Sequence, residues 1–204
     1  MHDYRVVSTG TPIEEAKKVL ILIHGRGGSA EDILGLGRVL KVDGFALMAP
    51  QATGGAWYPY SFLAPPAQNE PWLSSAIANL ERLVSEVEQQ GIGVENIYFA
   101  GFSQGACLTL EFVTRNARRY GGVAAFTGGL IGDQLYPERY KGDFGGTPVF
   151  VGTGDPDPHV PVARVEASKA LLEQMGAAVT LNVYKGRMHT ISQDEIARAN
   201  EVVF

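Results

Sequence analysis

Cysteine is nearly absent. The 204-residue chain has one, Cys107, so no internal disulfide can form, and a reducing compartment such as the cytoplasm is expected. Long apolar runs are absent as well. The longest aliphatic stretch, Val19-Leu20-Ile21-Leu22-Ile23, falls far short of the roughly 20 residues that cross a bilayer, which argues against stable membrane insertion. The start, Met1-His2-Asp3-Tyr4-Arg5, has no apolar segment of the kind that makes a signal peptide. Basic clusters are missing too: Lys17-Lys18 and Arg118-Arg119 are only pairs, and the net charge is −5. Nucleic acid and anionic membranes are therefore poor partners. No repeat, charge block or low-complexity linker interrupts the chain, and its length suits a single domain over residues 1–204.

What the chain does contain is an alternation of short apolar runs with amphipathic stretches. Strands are expected at 19–23, 45–48, 97–100, 123–126, 149–151 and 179–184. Helices are expected at 30–40, 74–90, 104–116, 162–175 and 194–203. The helix over 74–90 places Ile77, Leu80, Val84 and Val87 on one face, the 3.6-residue period of a half-buried helix. Ser29 with Asp32, and Ser192 with Glu195, have the spacing of helix N-caps. Alternating strands and helices imply a mostly parallel central sheet covered by helices on both faces, an α/β fold. Ligands bind such sheets beyond the carboxyl ends of the strands, so the segments that follow the strands are where chemistry is expected.

Directly after the strand at 97–100 stands Gly101-Phe102-Ser103-Gln104-Gly105. G-x-S-x-G between a strand and a helix is a nucleophile elbow. The sharp turn exposes the serine hydroxyl, and small residues at 101 and 105 let strand and helix pack closely around it. With 25 glycines in the chain, a chance match to the motif alone is unremarkable; a match at a strand-to-helix junction is much rarer. Cys107, one turn further on, reads as a small core residue.

After the strand at 19–23 comes His24-Gly25-Arg26-Gly27-Gly28. A tetrahedral acyl intermediate needs preorganised donors for its oxyanion. The backbone N–H groups of Gln104 and Arg26 are the candidates, one following the nucleophile and one in the glycine loop. Phosphate-loop spacings do not occur there. His24 reads as a structural clamp for the loop. The Arg26 side chain either meets an anionic substrate group or is only solvated.

Serine is a weak nucleophile until a base takes its proton, and in this fold the chain order is serine, acid, histidine. Only His159 and His189 follow Ser103. His189 lies after the last expected strand, where the base belongs. Asp155 and Asp157 are both candidates for the acid, with Asp157 preferred because D-x-x-V-P is a frequent form of this loop; Asp155 then shapes the turn. Asp155, Asp157 and His159 could also be read as metal ligands, but no second cluster supports that reading.

Together these segments resemble the phospholipase/carboxylesterase family of α/β-hydrolases, which includes the acyl-protein thioesterases. The matching pieces are Leu22–Gly27, Gly101–Ala106, Asp157–Pro161 and Tyr184–His189. The resemblance runs from about residue 18 to 200. It implies an α/β-hydrolase fold without a large cap, no cofactor, a Ser103–His189–Asp157 triad, and an esterase acting on carboxylic esters, thioesters or lysophospholipids. It is also consistent with a homodimer. Two departures stand out: Arg26 occupies a position where the thioesterases usually carry leucine, and Trp57-Tyr58-Pro59-Tyr60 stands in the region of their Trp-aromatic-Asp segment.

Residues 51–73 form a long connection rich in aromatics and proline, and long irregular loops in compact domains are usually functional. Trp57, Tyr58, Tyr60 and Phe62 are expected to line the substrate pocket. Two rival readings remain at this stage: a hydrolase-fold binding protein without activity, and a hydrolase of another substrate class, such as lactones or peptides.

Overall fold

The computed structural model describes all 204 residues. Seven strands form one sheet: β1 (Val6–Gly10), β2 (Lys18–Ile23), β3 (Phe45–Pro50), β4 (Ile97–Phe102), β5 (Gly122–Phe126), β6 (Pro148–Asp155) and β7 (Ala178–Lys185). Their order across the sheet is β1-β3-β2-β4-β5-β6-β7. All neighbours pair in parallel except β1, which runs antiparallel to β3. The helices are α1 (Ala30–Leu34), α2 (Trp72–Gln89), α3 (Gln104–Arg115), α4 (Val162–Gln174) and α5 (Gln193–Val202).

Side chains on successive strand residues point to opposite faces, and the core divides accordingly. Val19, Ile21 and Ile23 of β2, Ile97 and Phe99 of β4, and Val149 and Val151 of β6 face α2, α3 and α4. Leu20, Leu22, Ala100, Phe126 and Phe150 face the other way, with Ala30 and Ile33 of α1 and Ala199 of α5. Central strands buried on both faces must be apolar throughout, which explains the uninterrupted Val-Leu-Ile-Leu-Ile of β2. On α2, Leu73, Ala76, Ile77, Leu80, Val84 and Val87 are buried, the stripe its periodicity predicts.

Two expectations need correction. The helix expected over 30–40 ends at Leu34 and continues as a 3-10 turn over Gly35–Arg38; Gly37 lies against Leu47, where a Cβ would collide with that side chain. Strand β1 was not expected at all. It is an edge strand whose residues are half-buried or exposed, so it carries little hydrophobic pattern. The Ser29 cap on Asp32 and the Ser192–Glu195 capping box are both present. No helix is long and apolar enough to cross a membrane.

The topology also locates a crevice. The chain leaves β2 toward β3 on one side and returns to β4 on the other, so strand order reverses between β2 and β4. The loops beyond these two strands therefore diverge and leave space between them, the usual ligand position in an open parallel sheet.

Candidate active site

Ser103 sits at that crevice between β4 and α3 with φ 55° and ψ −119°. This is a conformation L-residues rarely adopt, at a cost of about 1–3 kcal/mol, and it persists only where its surroundings impose it. The surroundings are two close glycines. A Cβ on Gly101 would come 2.5 Å from the Gly105 carbonyl oxygen, and a Cβ on Gly105 would overlap the Ile23 carbonyl of β2. The elbow is thus wedged between its own helix and the neighbouring strand, and the hydroxyl is left facing the crevice.

His189, on the loop after β7, completes a relay. Its Nε2 lies 2.7 Å from Ser103 Oγ and its Nδ1 lies 2.7 Å from Asp157 Oδ2. A carboxylate can only accept, so Nδ1 carries the hydrogen and Nε2 is the lone pair that receives the serine O–H. The Asp157 side chain is fully buried, and its other oxygen accepts the backbone N–H of His159 (2.8 Å) and Val160 (2.9 Å). Burial alone would raise the Asp157 pKa, but the hydrogen bonds from His189 and from these two amides outweigh it, and the carboxyl is held below its ordinary range. Asp155 ends β6, is exposed, and accepts Gly186 N–H through its backbone carbonyl, which ties the acid loop to the histidine loop. The His159 ring stands edge-on to His189 with centroids 5.1 Å apart.

The glycine loop packs beside the elbow: a Cβ on Gly25 would lie 3.5 Å from Ser103 Cβ. Neither the Arg26 nor the Gln104 backbone N–H donates to another protein group. His24 holds the loop in shape. Its Nδ1–H donates to the Gly25 carbonyl (2.7 Å) and its Nε2 accepts the Ala52 N–H (3.1 Å); burial lowers its pKa, so the neutral ring is favoured. No group of three or more His, Cys, Asp or Glu side chains is placed to hold a metal ion.

A cleft of about 740 Å³ opens over Ser103 and His189 and is lined by Arg26, Tyr58, Tyr60 and Phe62, among others. Trp57 is not in that wall, which corrects the expectation for it. Its side chain is fully buried, its indole N–H donates to the His24 carbonyl (2.8 Å), and its ring packs against His24. It is a strut beneath the site. The Gln104 side chain does similar work: its Oε1 accepts Trp57 N–H and its Nε2 donates to the Tyr58 carbonyl, each at 2.9 Å. Aromatic content alone does not distinguish a wall from a strut.

Sequence reasoning also missed a brace on the histidine loop. Arg187 donates to Thr127 Oγ1 (3.1 Å) and pairs with the fully buried Glu195 of the α5 capping box. Arg187 is two residues from His189, so this contact anchors the loop that carries the imidazole. Cys107 lines the floor of the cleft, and burial pushes its thiol up to about 12, which leaves it inert as a nucleophile.

Comparison with known proteins gives the family of the chain. The family model described as Phospholipase/Carboxylesterase matches residues 3–203. Acyl-protein thioesterase 1 of Kluyveromyces lactis is 30% identical over 215 residues, covering 94% of this chain and 92% of that protein. A probable carboxylesterase, SOBER1-like, of Arabidopsis thaliana is 30% identical over 129 residues, 63% of this chain and 49% of the relative, so the match spans about half of that plant protein. A crystal structure of a phospholipase/carboxylesterase from Dyadobacter fermentans superposes with a TM-score of 0.98 at 58% identity, covering 99% of this chain and 97% of the other.

Proposed function

Since the chain belongs to the phospholipase/carboxylesterase family, we propose that it is a serine hydrolase of carboxylic esters and thioesters, with Ser103, His189 and Asp157 as its catalytic triad. The observation that carries this reading is the unbroken relay from Ser103 Oγ through both ring nitrogens of His189 to Asp157, with 2.7 Å at each link. The relay supplies nucleophile, base and orienting carboxylate at hydrogen-bonding distance before any substrate arrives.

Ser103 Oγ attacks the acyl carbon while its proton passes to His189 Nε2. The new C–O bond pushes the carbonyl electron pair onto oxygen. Asp157 accepts the Nδ1–H and stabilises the imidazolium; it takes no proton itself. The oxyanion receives the backbone N–H groups of Arg26 and Gln104, both free of other acceptors. The intermediate collapses, the bond to the leaving alcohol or thiol breaks, and His189 Nε2 protonates the leaving group. Water then repeats the sequence on the Ser103 acyl-enzyme, releasing the acid and restoring the serine. Tyr58, Tyr60 and Phe62 form the wall against which the substrate lies. The single buried thiol, Cys107, suits work in a reducing compartment such as the cytoplasm.

The test is hydrolysis of p-nitrophenyl esters from acetate to palmitate by wild type and Ser103→Ala, with fluorophosphonate labelling in parallel. Turnover and labelling that both disappear in Ser103→Ala support the assignment. A protein that cleaves no ester and takes no label is a hydrolase-fold binding protein instead.

A further inference from the structure

We propose that the substrate of this site carries a second, anionic group, a carboxylate or a phosphate, recognised by the Arg26 guanidinium. The proposal rests on the hydrolase reading above and adds the substrate class.

Among the side chains lining the cleft are Arg26, His159 and His189, and none is Asp or Glu. Asp157 lies behind His189 with its side chain fully buried. In a chain of net charge −5, a cleft that contains an arginine and excludes carboxylates runs against the overall balance. Arg26 also takes part in none of the molecule's ion pairs. Its positive charge has no internal counterion.

The guanidinium is nevertheless held in place. Nη2 donates to the Tyr58 carbonyl at 2.8 Å and to the Tyr60 carbonyl at 2.9 Å. A guanidinium has five N–H donors; these two bonds use those of Nη2, and the donors on Nη1 and Nε have no protein acceptor. A planar fork fixed on one side and free on the other loses little entropy when it binds a carboxylate or phosphate. Clasping the 58–60 strap does not by itself require an arginine. Gln104 Nε2 already donates to the Tyr58 carbonyl and Asn69 Oδ1 already accepts the Tyr60 N–H, each at 2.9 Å. What the guanidinium adds is charge.

Position supports the same conclusion. In the proposed mechanism the Arg26 backbone N–H meets the oxyanion, so the anionic group lies within one arginine side chain of the reacting carbonyl. That describes a short substrate with a few carbons between ester and anion.

The experiment compares kcat/KM for matched pairs by pH-stat. Monomethyl glutarate against methyl pentanoate places the carboxylate on the acyl side. O-acetylglycolate against propyl acetate places it on the leaving-group side, and 2-acetoxyethyl phosphate against propyl acetate tests phosphate. In wild type, at least one charged substrate should exceed its neutral partner by about ten- to a hundredfold, the range of a hydrogen bond to a charged group. In Arg26→Gln that ratio should fall at least tenfold, with Arg26→Lys between the two. The ratio is the readout because it cancels any general disturbance of the oxyanion donor. A ratio at or below one in every wild-type pair, or an unchanged ratio in Arg26→Gln, overturns the proposal. If no ester is cleaved and Ser103 takes no label, the hydrolase reading is what fails. Calorimetry with glutarate then decides the anion claim alone: binding lost in Arg26→Gln supports it, and absence of binding by wild type refutes it.

Discussion

Replacing Gly105 by alanine puts a single methyl group where α3 touches β2. An added Cβ would overlap the Ile23 carbonyl oxygen and lie 2.5 Å from that of His24, whereas ordinary contact begins near 3.4 Å. Both obstacles are buried backbone, one at the end of β2 and one at the start of the loop that follows it, so the helix start must yield. Clearing the His24 oxygen alone needs a retreat of about 0.9 Å, the difference between those two distances. Ser103 and the Gln104 N–H ride on that helix start. Overpacking of this kind costs about 1–3 kcal/mol, which for a chain near 200 residues lowers Tm by about 2–12 °C. A misplacement of about 1 Å at reacting groups costs about a hundredfold in rate. Gly105→Ala is therefore expected to melt several degrees lower and to lose about two orders of magnitude in kcat/KM on p-nitrophenyl butyrate. Gly35→Ala is the control: its φ is −56° and nothing lies within 4 Å of an added Cβ, so it should keep full activity and gain about 0.4–1 kcal/mol. A Gly105→Ala protein within one degree and twofold of wild type would show that the wedge between helix and strand does not hold the elbow.

Three further outcomes follow from the same geometry. Asp157→Asn should lower kcat by about 10⁴ because the orienting carboxylate is lost, measured as steady-state turnover; a loss below tenfold would point to Asp155 as the acid. Trp57→Phe removes the donor to the His24 carbonyl and leaves a buried acceptor unpaired, at about 1–3 kcal/mol. Its melting temperature should fall while the ester chain-length profile stays as in wild type, and a changed profile with an unchanged Tm would return Trp57 to the pocket wall. The third outcome concerns acid stability. The Asp157 carboxyl is depressed in the folded protein by its hydrogen bonds to His189, His159 and Val160 against the opposing effect of burial. Its contribution is therefore present above the unfolded-state value of about 3.9 and disappears as pH falls through the lower folded value. The stability gap between wild type and Asp157→Asn, followed by urea melts, should narrow as pH is taken below about 4; a gap that widens on acidification would contradict the sign.

The sheet was readable because its central strands are buried on both faces, which leaves long runs such as Val19–Ile23 with no polar interruption. The elbow was readable because its geometry demands small residues on either side of one serine. Strand β1 was not, since an edge strand with half-exposed residues has almost no pattern to detect. Gly35 and Gly37 marked the early end of α1, and the hydrophobic spacing up to Leu40 hid them. Trp57 and Tyr58 are adjacent aromatics in one loop, yet one braces His24 and the other lines the cleft; which way a loop side chain turns depends on contacts far away in the chain. The pairing of Arg187 with Glu195 was hidden for the same reason. Glu195 already looked explained as half of a capping box, and nothing in the sequence around Arg187 marked a partner for it.

The relay joins residues that are far apart along the chain: Ser103 and His189 are separated by 86 positions. Between them lie β5, β6 and β7, and the hydroxyl meets the imidazole only when those strands have docked in order. A nascent or partly unfolded chain still has the serine but no base beside it, and an unassisted hydroxyl does not attack esters at a useful rate. Reactivity is thus withheld until β5, β6 and β7 have docked, and hydrolysis reports the closure of this 86-residue separation.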